Sequence, residues 1–179
     1  MDNLSDQEII DQVLSGDDEA YGHLVKRYQR AVYSVARRYL RSHLAADDVA
    51  QEAFIRAFFS LKSYDSRFRF YTWLVRITIN LCHDAVKREG RYLPLAAENE
   101  AADNSADPLE AAVQSDACQR IRREIDELPL DQREVILLRA DRELSYQEIG
   151  RVLGIPAGTV MSRLFRGRQT LARRLKGII

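Results

Sequence analysis

S-Y-Q-E-I-G-R-V-L-G-I-P-A-G-T-V-M-S-R-L-F-R-G-R, from Ser145 to Arg168, reads as two helices around a tight turn. Ser145 followed by Glu148 is a capping box, so the first helix starts there. Gly154 tolerates the positive φ that a sharp turn demands, and Pro156 is placed to open the second helix. There Val160, Leu164, Leu171 and Leu175 recur at helical spacing as one buried stripe. Thr159, Ser162, Arg166, Gln169 and Arg173 fall on the opposite, solvent-facing side. From Arg151 onward the chain carries Arg and Lys but neither Asp nor Glu. An ordinary helical hairpin with solvated arginines would have the same shape. The acid-free basic face favours a helix-turn-helix that reads DNA.

Working outward, 179 residues allow one large domain or two small ones. The formal net charge of zero hides a segregation. Acids dominate from Asp2 to Glu19 and bases from Lys26 to Arg41, and the stretch from Glu98 to Asp116 is purely acidic. Such blocks imply several charged partners, or masking of a basic surface by an acidic one. Cys82 and Cys118 form no CxxC pair, and His23, His43 and His83 complete no zinc-ligand pattern, so no metal or cofactor is expected. Cys82 reads as a small buried hydrophobe. Without a signal-peptide pattern or an apolar run of transmembrane length, the expected compartment is the cytoplasm.

Along the chain, Ile9, Ile10, Val13 and Leu14 mark a short first helix. A second carries Tyr21, Leu24, Val25, Tyr28, Val32, Val35, Ala36 and Tyr39, with six bases on its other side and no acid among them. Asp47 or Asp48 begins the third, whose inner stripe is Ala50, Phe54, Ala57 and Leu61. Its opposite face mixes Asp48, Gln51 and Glu52 with Ile55 and Phe59, and so has a second surface to bury, on another helix or on a partner. Lys62 to Phe70 reads as a loop in which Arg67, Phe68, Arg69 and Phe70 alternate charge with aromatic rings. That pattern suits single-stranded nucleic acid, with Phe70 assigned instead to the core. The next helix, Tyr71 to Arg88, shows a polar stripe of Arg76, Asn80, His83 and Lys87 that could meet bases and phosphates. Residues 93–117 have linker composition, with a short helix possible at Leu109 to Val113. The second domain follows with Ile121, Ile125 and Leu128 on one helix, and Asp131 capping another. Each domain core is expected to be small.

Three stretches now carry a resemblance: D-D-V-A-Q-E-A-F-I-R-A-F, F-Y-T-W-L-V-R-I-T-I-N, and L-P-L-D-Q-R-E-V-I-L-L-R joined to the helix-turn-helix. In order and spacing the chain resembles an extracytoplasmic-function (ECF) sigma factor from near Asp6 to Leu175. The resemblance implies an all-α fold of two small helical domains. Residues 1–92 would form the region 2 bundle, 93–117 an acidic linker and 118–179 the region 4 helix-turn-helix. It implies core RNA polymerase docking through Asp48, Gln51, Glu52, Ile55 and Phe59. Recognition and melting of the −10 element would fall to Lys62, Ser63, Tyr64, Arg67, Phe68, Arg69, Trp73, Arg76, Asn80, His83 and Lys87. The −35 element would be read by Thr159, Met161, Ser162, Arg163, Phe165, Arg166 and Arg168. The linker would thread toward the RNA exit path.

Further implied partners are double-stranded −35 and single-stranded −10 promoter DNA and an anti-sigma factor, with the free chain a monomer that the anti-sigma factor could hold at the inner membrane face. Two departures stand out: Met161 lies where many relatives carry Arg, and Arg67 to Arg69 replace a turn that is usually Gly-containing. A sigma mimic that titrates an anti-sigma factor would have little use for Arg163, Arg166 and the basic loop. A plain helix-turn-helix regulator would leave the Asp48–Ile55 face unexplained. No phosphate loop, nucleophile–base pair or metal cluster suggests an enzyme.

Overall fold

The computed structural model describes residues 4–40, 42–88, 116–140 and 144–176. Within them lie eight α-helices and no strand: α1 Asp6–Leu14, α2 Tyr21–Tyr39, α3 His43–Phe59, α4 Phe70–Arg88, α5 Asp116–Asp126, α6 Leu130–Arg139, α7 Tyr146–Leu153 and α8 Ala157–Arg174. Short 3-10 turns at Asp18–Ala20 and Leu61–Ser63 stand between α1 and α2 and between α3 and α4. Gly90, most of the acidic linker and the Leu109–Val113 segment lie outside the described residues.

Local chemistry sets most helix starts. Ser5 and Glu8 form a capping box on α1. Helix α3 begins earlier than the Asp47–Asp48 pair suggested: Ser42 caps it, its hydroxyl accepting from Ala45 N at 3.3 Å. The carboxylates therefore sit in the second turn. Asp131 is not a cap either; α6 starts at Leu130 behind Pro129, with Asp131 in its first turn. Nor are the bases of α2 unopposed, because Arg27 pairs with Asp6 of α1.

Helices α1 to α4 enclose one core, with Ile9, Leu24, Val32, Ala36, Ala53, Ala57, Phe70 and Leu74 essentially solvent-free. The Tyr21 hydroxyl donates to the Phe54 carbonyl at 2.8 Å, satisfying a buried donor between α2 and α3. A second core is built by Val135, Leu138, Leu144, Ile149, Val152, Val160 and Leu164, and it also takes in Val35, Tyr71, Val75 and Ile79 from α2 and α4. The C-terminal helices thus pack against the N-terminal bundle, and their core extends across both. At the chain end, Arg174 reaches Glu124 at 3.4 Å and Glu127 at 3.3 Å, tying α8 to the α5 end.

Candidate nucleic-acid interface

The helix-turn-helix forms as its residues dictate. Ser145 Oγ accepts from Glu148 N at 3.2 Å, while Glu148 Oε2 accepts from Ser145 N at 2.8 Å and from its hydroxyl at 2.7 Å. Gly154 closes α7 in the left-handed region at φ 68°. Gly150, inside α7, is required for a different reason: a Cβ there would stand 2.6 Å from the Ile155 carbonyl oxygen of the turn. The sequence signal for it was a glycine inside a helical pattern, which marks a close backbone approach.

Helix α8 buries Val160, Leu164 and, at its end, Leu175, and turns Ser162, Arg166 and Arg168 to solvent. Met161 is 50% exposed and Phe165 68%, while Thr159 is half-buried. Arg163 differs from expectation. Its side chain is only 25% exposed and its Nε lies 3.3 Å from Asp131 Oδ2. Position 163 borders the buried stripe, and the carboxylate in the first turn of α6 draws it inward.

In the first bundle, Lys62 and Ser63 are exposed and Tyr64 is half-buried, its hydroxyl donating to the Phe68 carbonyl. Asp65 braces the loop: it accepts from Arg67 Nη2 at 2.6 Å and from Arg67 Nε and N at 3.0 Å. Those bonds hold the Asp65 carboxyl below its ordinary range. Phe70 is in the core, as its pattern implied, and Trp73 is half-buried with its ring centroid 5.7 Å from that of Phe70. Phe68 remains at the surface, but the Arg151 guanidinium lies 4.4 Å from its ring centroid.

The stripe on α4 divides. Arg76, Asn80 and Lys87 are exposed, whereas His83 Nε2 lies 2.6 Å from Glu134 Oε1 on α6. Arg69 Nη1 comes within 3.4 Å of Glu148 Oε1, and Thr72 Oγ1 donates to that oxygen at 2.9 Å. Burial pushes the Glu148 carboxyl up, but the bonds from Ser145 and Thr72 and the Arg69 charge outweigh it and hold the group below the ordinary range. Thr72 and Glu134 were not singled out from the sequence, and Asp131 only as a helix cap, because their partners are remote along the chain.

On α3, Asp48 and Gln51 are exposed and Glu52 is half-buried, bonded to Arg56 at 2.7 Å. Ile55 is 51% and Phe59 80% exposed, so this face has no cover within the described residues. A shallow cleft lined by Glu52, Ile55, Arg56, Phe59, Ser60, Ile77 and Asn80 joins it to the polar stripe of α4. Two sets of residues expected to serve different partners therefore meet at one place. Among the described residues no cluster of three or more potential ligands could hold a metal ion, and no helix is long and apolar enough to cross a membrane.

Comparison with known proteins matches residues 24–92 to Sigma-70 region 2 and residues 118–171 to Sigma-70 region 4. The chain is similar to the ECF RNA polymerase sigma-E factor of Escherichia coli K12, with 36% identity over 99% of this chain and 98% of that one. It is likewise similar to the ECF RNA polymerase sigma factor SigW of Bacillus subtilis, 36% identical over 94% of this chain and 96% of that one. Among solved structures, CnrH in complex with the cytosolic domain of CnrY aligns with a TM-score of 0.71 and 27% identity, over 96% of this chain and 97% of that one.

Proposed function

This chain belongs to the ECF RNA polymerase sigma factors, and from that premise we propose that it binds core polymerase and directs promoter-specific transcription initiation. The observation that carries the reading is the outward face of α8. Ser162, Arg166 and Arg168 project from a helix whose other side is locked into a core, behind a glycine turn, with no acid from Arg151 onward. A rigid helix of this kind can present base-reading and phosphate-neutralising groups to the −35 major groove. The apolar Ile55–Phe59 face offers core polymerase a desolvated anchor. The Lys62–Arg69 loop, Arg76, Asn80 and Lys87 supply charge, a ring and an amide for the single-stranded −10 element.

Phe68, Arg69 and His83 lie against Arg151, Glu148 and Glu134 in this arrangement. Engagement of −10 DNA by the loop and the α4 stripe displaces those contacts. The likeness to CnrH, solved with the cytosolic domain of CnrY, supports an anti-sigma partner. The chain would act in the cytoplasm, free as a monomer.

Run-off transcription with core polymerase on a library of randomised promoters tests the reading. Specific transcripts are expected, weakened by Arg166→Ala. Failure of the folded chain both to bind core and to direct initiation would overturn it.

A further inference from the structure

Among the exposed positions of α8, Met161 and Phe165 are the two large apolar residues within the described chain. They are four residues apart, so they are neighbours on one face, with Cβ atoms about 5–6 Å apart. Both fall in the first half of the helix, the part that a helix-turn-helix directs at base edges. Ser162 and Arg166 run beside them as a parallel, exposed polar pair. The buried stripe of Val160 and Leu164 lies on another side, so core packing does not account for Met161 and Phe165.

An apolar pair on a face otherwise basic and acid-free fits one surface chemistry. The major groove is anionic at its rims, where Arg166 and Arg168 suit the phosphates, and it carries one strongly apolar group on its floor, the thymine C5-methyl. Resting on the proposed promoter reading, we propose that Met161 and Phe165 form an apolar reader for thymine methyl groups in the −35 element. The unbranched, polarisable Met side chain adapts to the step between adjacent bases, and the Phe ring covers the methyl from the side. Arginine at position 161 would instead favour the two acceptors of guanine. Methionine at this position thus favours thymine at the base pair that residue 161 faces.

The test removes only the methyl. Holoenzyme assembled from core polymerase and the full chain selects its −35 element from a randomised library, and each thymidine of that element is then replaced by deoxyuridine. At one or two positions the wild-type holoenzyme should lose about three- to fivefold in affinity, the effect of burying one methyl-sized group. Met161→Ala or Phe165→Ala should abolish that sensitivity and weaken −35 binding with core binding retained, and Met161→Arg should shift selection toward guanine. Deoxyuridine tolerated throughout by the wild type, or a selected element without thymine, overturns the proposal. So does methyl sensitivity that survives in both alanine variants. Loss of core binding and of initiation altogether would instead overturn the promoter reading beneath it.

Discussion

Thr72 and Glu148, 76 residues apart in sequence, meet in a 2.9 Å hydrogen bond from the threonine hydroxyl to carboxylate oxygen Oε1. The other oxygen, Oε2, stays on the backbone N–H and hydroxyl of Ser145. One side chain therefore starts the first helix of the helix-turn-helix and fastens that unit to α4.

Thr72→Val removes the donor and leaves a largely buried carboxylate oxygen short of a partner. Such a loss costs about 1–3 kcal/mol. Urea unfolding of the full chain should show the midpoint falling, with Thr72→Ser restoring most of it. An unchanged midpoint for the valine variant would show that the contact contributes nothing.

Acid should weaken the same contact. The folded-state pKa of Glu148 is depressed below its ordinary value of 4.5, so its stabilisation is complete above that value and is lost as pH falls through the folded pKa. Glu148→Gln keeps a capping side chain but does not titrate. The stability gap between wild type and variant should be widest near about pH 6 and narrow toward about pH 3. A gap that stays constant with pH contradicts this account.

Gly150→Ala should be costly where Gly158→Ala is not. At 150 the added Cβ meets a backbone oxygen at 2.6 Å, whereas at 158 nothing lies within 4 Å. Overpacking of this kind costs about 1–3 kcal/mol, while a helix glycine in open space gains up to about 1 kcal/mol on replacement by alanine. Thermal unfolding of the two variants side by side decides it.

Phe59 separates docking from folding. Because its side chain is 80% exposed, Phe59→Ala should leave stability within about 0.5 kcal/mol. If it anchors core polymerase, affinity should fall by 1–3 kcal/mol, or about five- to 150-fold. Titration of core polymerase with labelled chain measures this directly, and equal affinity would move the docking face elsewhere.

What could be read from the sequence was local. The Ser145–Glu148 box, the left-handed Gly154 and the stripe through Val160 and Leu164 each depend on residues within one or two turns, and all formed as expected. The start of α3 was displaced because an acidic pair resembles a cap, while Ser42 and the exposed Leu44 lie outside the apolar stripe. Helical phase put His83 on the polar stripe of α4, and the family resemblance put Arg163 among the −35 readers. Asp131 and Glu134, brought close only by folding, hold them otherwise. Glu148 shows the limit most plainly: a capping box uses one carboxylate oxygen, and nothing nearby in sequence says where the second will go.

The second core crosses the boundary between the two family regions, since Val35, Tyr71, Val75 and Ile79 fill it alongside Ile149, Val152 and Val160. The halves of this chain are therefore not interchangeable modules in the compact state. A hybrid that joined residues 1–92 to the C-terminal half of another sigma factor would set these four side chains against shapes they were not fitted to. Transplanting promoter preference between relatives without loosening the fold means exchanging only the outward face of α8, and leaving the mated surfaces as a pair.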